Sequence, residues 1–171
     1  VWRWNRPIIG TDSDGTPHLR LEQRVMASGP SIVDVVANTM FSTGATLALA
    51  RAERAVEESM TFTDCRNNFY AAARGGLDAK LRWTGREVTV RSLLLDELLP
   101  AAANALAAAG IAASDIDRCI HGILGERVRS GRNGSAWQRA FVATHGADFE
   151  NLTLTYIDNQ ATGAPVHEWV V

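Results

Sequence analysis

The segment with the clearest chemical signature is RLEQR, residues 20–24, which alternates like a half-buried strand. Because successive side chains of a strand point to opposite faces, Arg20, Glu22 and Arg24 share one face. A carboxylate beside two guanidinium groups suits a site that binds a divalent cation while the arginines hold phosphate or carboxylate oxygens. The alternative is a solvated strand face, whose ion pairs contribute roughly a few tenths of a kcal/mol each. Spacing alone leaves both interpretations open.

Two further segments could add to such a site. WNRP, residues 4–7, is expected on the neighbouring strand, where Arg6 and the amide of Asn5 would join the surface that carries Glu22. ERVRSGRNGSAWQR, residues 126–139, gathers four arginines around a predicted helix start. Free N–H groups at a helix N-terminus beside arginines can bind an anion, and Arg132 and then Gln138 are the first candidates for contacting it. A solvated loop that caps two helices is the alternative.

A polar stripe runs along an otherwise apolar helix predicted from residue 31. Asp34, Asn38, Ser42 and Thr46 each follow the previous one by four residues, so they share a helix face. We expect this stripe to satisfy buried backbone groups or to face the strand arginines, rather than to contact substrate. The four histidines have no metal-ligand spacing, and the five tryptophans are assigned to packing.

The elements that position these residues can be inferred from periodicity and turn residues. Strands are predicted over residues 1–9 and 17–26, joined by the turn-forming segment GTDSDGT. The first helix should start with a Ser31–Asp34 capping box and extend to residue 58. Further helices are predicted over residues 63–74, 90–109 (kinked or split by Pro100), 114–128 (capped by Ser114), 135–144 and 148–160. A short hairpin near residues 77–89 should turn at Thr84-Gly85. The fold class is α+β, with an N-terminal antiparallel strand pair followed by a mainly helical bundle.

Composition limits the classes of function. The chain has 171 residues, enough for a single domain over residues 1–171, and its net charge of -2 gives no general attraction to nucleic acid or anionic membranes. The sequence has no uninterrupted apolar window of about 20 residues, so no membrane-spanning helix is predicted. Two cysteines without metal-binding spacing favour a reducing, cytoplasmic location. The sequence opens directly on a strand without an initiator methionine, which favours a piece of a longer protein over a trimmed self-sufficient domain.

Four motifs in the same order resemble the glutamate–cysteine ligase type 2 and carboxylate–amine ligase family. They are RWNRP with PHLRLEQRVMASGPSIVDVVAN, then NNFYAAARGGLDAKL, LLPAAANAL and SGRNGSAWQRA. The resemblance covers essentially the whole chain. It implies the C-terminal part of a larger catalytic domain similar to glutamine synthetase, with residues 1–28 supplying strands of the active-site sheet and residues 29–171 a helical region.

The resemblance also implies roles for individual residues. Glu22 would bind Mg²⁺ or Mn²⁺ beside the phosphates of ATP, with Arg20 and Asn5 near the nucleotide. Arg24 would lie near the acyl phosphate or the glutamate carboxylate, and Arg6 would hold the transferred phosphoryl group, although Arg3 is a rival for that role. Arg132 and Gln138 would belong to the wall or lid of the glutamate or nucleotide pocket.

The implied activity is an ATP-dependent ligation of glutamate to an amine such as cysteine, through an acyl phosphate. The remainder of the catalytic domain would be a partner, and a homo-oligomer is expected from an open strand edge. Two alternatives are a catalytically inactive helical binding or assembly module of the same fold, and nucleic-acid binding through the arginines of residues 127–139, which the overall charge disfavours.

Overall fold

A computed structural model describes residues 5–26 and 28–171 of the chain. The start of the first predicted strand, with Trp2, Arg3 and Trp4, lies outside the described residues. Strands β1 (Asn5–Thr11) and β2 (Pro17–Gln23) form an antiparallel pair, and helices follow along most of the remaining chain. The predicted α+β class, a strand pair followed by a helical bundle, is confirmed.

The first helix, α1 (Ile32–Ala50), begins as its sequence predicts and ends earlier. Ser31 is the N-cap residue, and its hydroxyl donates to Asp34 Oδ2 at 2.8 Å. The extension to residue 58 is wrong: after Ala50 the chain leaves the helix, and only a short 3₁₀ turn, Val56–Glu58, follows. Residues beyond Ala50 are mostly charged, and a helix without an apolar face to bury has little to stabilise it.

The second helix, α2 (Phe62–Gly75), packs against a small hairpin of β3 (Lys80–Trp83) and β4 (Arg86–Thr89). Thr84 and Gly85 form the turn, with φ of 45° and 86°. Two successive positive φ angles are typical of the tight turn whose twist matches that of the strands. The predicted hairpin is therefore confirmed, with strands of four residues each.

Two long helices with irregular middles form the core with α1. Helix α3, residues 90–108, is α-helical over Val90–Leu93 and Leu99–Ala108, with a π turn at Leu94–Leu98 that ends two residues before Pro100. Proline lacks an N–H and cannot complete the regular ladder, so the predicted disturbance is found there. Helix α4, residues 113–130, contains a π segment at Asp117–Leu124. It starts after Ala112 without a side-chain cap, so the predicted Ser114 cap is wrong.

The last two helices are α5 (Gly134–His145) and α6 (Phe149–Ala161), followed by a 3₁₀ turn at Val166–Glu168. Two apolar clusters hold the bundle together. One joins α1, α3 and α4 and includes the buried residues Ala37, Leu99, Leu106, Ile120 and Leu124. The other joins α5 to the C-terminal segment through Trp137, Phe141, Val166 and Trp169.

Helix α1 has 19 residues with a mean hydropathy of 1.4 and so meets, by length and composition, the criterion for a membrane span. Mostly buried core helices of globular proteins meet the same criterion, but only 17% of this window is buried within the described chain. In this structure α1 packs against α3 and the π segment of α4, and it carries the fully buried Asp34.

Candidate functional site

Glu22 forms ion pairs with two arginines on one face of the β1–β2 hairpin. Its Oε2 atom lies 2.7 Å from Nε of Arg6 and 2.9 Å from Nε of Arg24. The strand register explains the first contact, because Arg6 and Glu22 are directly opposite each other. All three side chains are about one-third exposed, so the group lies at the surface of the described chain without being fully solvated.

The two guanidinium groups keep Glu22 ionised. The hydrogen bond from Arg24 is the main cause that lowers the pKa of Glu22 below its ordinary value of 4.5, and the positive charges of Arg24 and Arg6 add to the effect. Partial burial acts in the opposite direction and does not outweigh them. The three groups together carry a net positive charge, so this face is complementary to an anion or to a metal–anion complex.

The structure brings Arg20 to the same face, and Asn5 to the other one. Arg20 is opposite Ile8 in the register, two residues from Glu22, and is exposed. Asn5 is opposite Gln23, so it lies on the face that carries Leu21 and not beside Arg6 as the sequence suggested. Its Oδ1 atom is buried and has no hydrogen-bond partner among the described residues. The nucleotide-binding roles of both residues stay predictions.

A metal ion would find one carboxylate on this face. Within residues 5–26 and 28–171, no three His, Cys, Asp or Glu side chains lie close enough together to hold a metal ion. Mg²⁺ normally takes one or two protein carboxylates and completes its sphere with water and substrate phosphates. Glu22 fits the role of such a single ligand, provided that the cation arrives with a polyphosphate, because the two arginines would repel a bare cation.

The arginines of residues 127–139 do not converge on one anion site. Arg129 pairs with Glu126, Arg139 donates to Ser135 Oγ, and Arg132 Nη2 donates to the carbonyl of Trp169 at 2.6 Å. The side chain of Asn133 caps α5 by accepting from the N–H of Ala136, so that helix start is partly satisfied by the protein itself. The substrate-binding roles of Arg132 and Gln138 stay predictions.

The fourth arginine of that segment forms a buried network that the sequence did not reveal. Arg127 Nη1 lies 3.1 Å from Asp34 Oδ1, and its Nη2 donates to Asn38 Oδ1. The side chain of Asp34 is 0% exposed and that of Arg127 is 12% exposed. Asp34 Oδ2 also accepts from the N–H of Val166 at 3.0 Å. The expectation that Asp34 satisfies buried backbone is confirmed, and its arginine partner comes from α4 and not from the strands.

A cavity of about 740 Å³ lies between α1, α5 and the end of β2. Part of the polar stripe faces it, since Asn38, Ser42 and Thr46 are among its lining residues, as are Arg127 and Gln138. Gln23 reaches it from β2 and accepts a hydrogen bond from Ser42 through Oε1. The strand pair and the helical region are thus joined at the rim of this cavity.

Comparison with known proteins agrees with the residue patterns. A search of curated proteins found no match. The family model for glutamate–cysteine ligase family 2 matches residues 9–158, which include β2 with Glu22, the α1 stripe and Arg127. A match of this extent shows the family. The chain belongs to glutamate–cysteine ligase family 2, and it is therefore a member of a group of carboxylate–amine ligases.

Proposed function

We propose that this chain is part of an ATP-dependent ligase that joins the side-chain carboxylate of glutamate to an amine such as cysteine. The observation that carries the proposal is the Glu22 carboxylate held between Arg6 and Arg24 at 2.7 and 2.9 Å. Membership of the glutamate–cysteine ligase family supports the class of reaction.

The reaction has two steps that balance without a further reactant. A carboxylate oxygen of glutamate attacks the terminal phosphorus of ATP, the bond to the bridging oxygen breaks, and ADP leaves with that electron pair. The amine nitrogen then attacks the acyl carbon, loses a proton and expels inorganic phosphate, which leaves an amide. Both steps concentrate negative charge on phosphoryl oxygens, so fixed positive groups lower the barrier.

The residues on the face of the β1–β2 hairpin that carries Glu22 suit these steps. Arg6 and Arg24 would hold the transferred phosphoryl group and the acyl phosphate, because the planar donors of arginine match such oxygens. Arg20, on the same face, would contact the nucleotide phosphates. Asn5 lies on the other face of the strand pair, so it could contact the nucleotide only around the edge of the sheet. Glu22 fixes the two arginines and would supply one ligand to Mg²⁺ or Mn²⁺, which provides charge neutralisation of the phosphates when bound.

Residues away from the β1–β2 hairpin would complete the site. Arg132 is exposed and would contact the glutamate or nucleotide with donors other than the one used on Trp169. The contact of Gln138 with glutamate or nucleotide stays a prediction, because Gln138 lines the cavity behind β2 rather than the face that carries Glu22. We also propose that the protein is cytoplasmic, that it forms a homo-oligomer, and that further chain completes the catalytic domain. If further chain supplies the rest of the active site, the 171-residue polypeptide alone should not hydrolyse ATP steadily.

The test is the Glu22→Gln variant of the full-length protein, assayed for ADP release that requires both glutamate and Mg²⁺. We expect a loss of at least about 100-fold, the usual effect of removing one preorganised electrostatic group. Glu87→Gln is the matched control: Glu87 also lies on a hairpin and pairs with Lys80 at 2.9 Å, but it belongs to the β3–β4 hairpin. Full activity in the Glu22→Gln variant would favour the inactive binding module instead.

A further inference from the structure

The cavity between α1, α5 and β2 lies on the opposite side of the strand from the proposed catalytic face. Gln23 lines the cavity, whereas its chain neighbours Glu22 and Arg24 form their ion pair on the other face of β2. At about 740 Å³ the cavity is within the range of small-molecule sites, about 300–1,000 Å³. It is therefore large enough for a ligand of its own, separate from the ligase substrates.

The lining of the cavity divides into an apolar wall and a polar end. Phe41, Ala45 and Leu49 from α1, with Leu98 from α3, provide the apolar wall. The polar end contains Asn38 and Arg127, and the guanidinium group of Arg127 donates a hydrogen bond to the Asn38 side chain. The guanidinium group of Arg127 has five N–H donors, and its hydrogen bonds to Asp34 and Asn38 do not use them all. Such an end can donate to an oxygen of a ligand.

The electrostatics of the polar end select a neutral ligand. The charge of Arg127 is already compensated by the fully buried Asp34. A carboxylate ligand would add an uncompensated negative charge near Asp34, and a cationic ligand would add a positive charge beside Arg127. Both are costly at this end of the cavity, where the side chain of Arg127 is 12% exposed and that of Asp34 0%. Tyr156, also in the lining, has a pKa raised by burial and by the negative charge of Asp34, so it stays a neutral hydroxyl.

We propose that this cavity is a second ligand site, which takes a neutral amphiphilic molecule with an apolar or aromatic body against Phe41 and an amide or hydroxyl oxygen at Arg127. The site does not depend on the ligase activity. Its connection to the catalytic strand is Gln23, which lines the cavity and accepts a hydrogen bond from Ser42.

Three probes of one shape and different charge test the proposal on the full-length protein: benzamide, benzoate and benzamidine. Dissociation constants come from ligand-observed NMR titrations. We expect benzamide to bind about tenfold or more tightly than either charged analogue, a difference of about 1.4 kcal/mol or more. The Ala45→Phe variant should fill the cavity and abolish binding of benzamide. Ala50→Phe, the same change at an exposed position of α1, should leave it unchanged.

Each result decides something. Failure of benzamide to bind, tighter binding of benzoate or benzamidine, or undiminished binding in Ala45→Phe would overturn the proposal. If Ala45→Phe does not fold, Gln138→Trp fills the cavity from the exposed opposite wall and must abolish binding in its place. The Glu22→Gln variant separates this site from the catalytic one, because it should bind benzamide normally whether or not the ligase proposal holds.

Discussion

Replacing Asp34 by asparagine should cost much more stability than its position near a helix end suggests. The substitution keeps the shape but removes the charge that compensates Arg127, 3.1 Å away and largely buried. Arg127 and the N–H of Val166 donate to different oxygens of Asp34, and an asparagine would place an NH₂ donor where one of these oxygens lies, so one donor would lose its acceptor. Breaking a buried ion pair from one side costs about 3–5 kcal/mol. At about 2–4 °C per kcal/mol, the melting temperature should fall by about 6–20 °C.

Asp64→Asn in α2 is the matched control for this measurement. Asp64 has the same relation to Thr61 that Asp34 has to Ser31, with a hydroxyl-to-carboxylate distance of 2.8 Å in both pairs. It is only half-buried, however, and has no arginine partner in any described contact. Thermal unfolding of the two variants should differ by most of the predicted shift. If Asp34→Asn loses no more than Asp64→Asn, the buried pair with Arg127 does not hold α1 to α4, and the reasoning fails.

Three further outcomes are expected. The pKa of Glu22 should lie below 4.5, so its ionised form stabilises the fold above that pH, and this contribution disappears as the pH falls through the lower pKa of the folded state. An NMR titration of the Glu22 carboxyl carbon should give this lowered pKa, and the Arg24→Gln variant should raise it again. Gly44→Ala should destabilise by about 1–3 kcal/mol in denaturant unfolding despite the better helix propensity of alanine, because the added Cβ would lie 2.7 Å from the carbonyl oxygen of Ala102. Thr84→Asn should stabilise by up to about 1 kcal/mol in the same assay, since a β-branched residue at a φ of 45° is strained; an unchanged midpoint would contradict this.

Local signals predicted the features that depend on neighbouring residues. The Ser31–Asp34 cap, the Thr84-Gly85 turn and the disturbance before Pro100 all follow from a few adjacent side chains, and all three are found. The Ser114 cap looked equivalent in sequence to the Ser31 cap and is absent. A cap contributes about 1 kcal/mol, so the packing of the apolar residues of α4 can outweigh it when the helix start is set.

Pairings between distant segments could not be predicted in the same way. The arginine segment suggested an anion site because the residues are close in sequence, but its members point to separate partners, and Arg127 pairs with a residue 93 positions earlier. For the strand pair, alternation predicted the shared face of Glu22 and Arg24 correctly. Asn5 and Arg6 are consecutive in β1, so alternation also separates them; only the register, which depends on where the turn closes, shows that Arg6 is the one opposite Glu22.

The hydrogen bond from Val166 to Asp34 has a consequence for how the chain is made. The two residues are 132 positions apart, and ribosomes add about 5–20 residues per second. Val166 is therefore synthesised about 7–26 s after Asp34. During that interval the contacts of α1 with α3 and α4 can form only as each of these helices is synthesised. Helix α1 has the length and hydropathy of a membrane segment. Until residue 166 leaves the exit tunnel, Asp34 therefore lacks the hydrogen bond that ties α1 to the C-terminal turn.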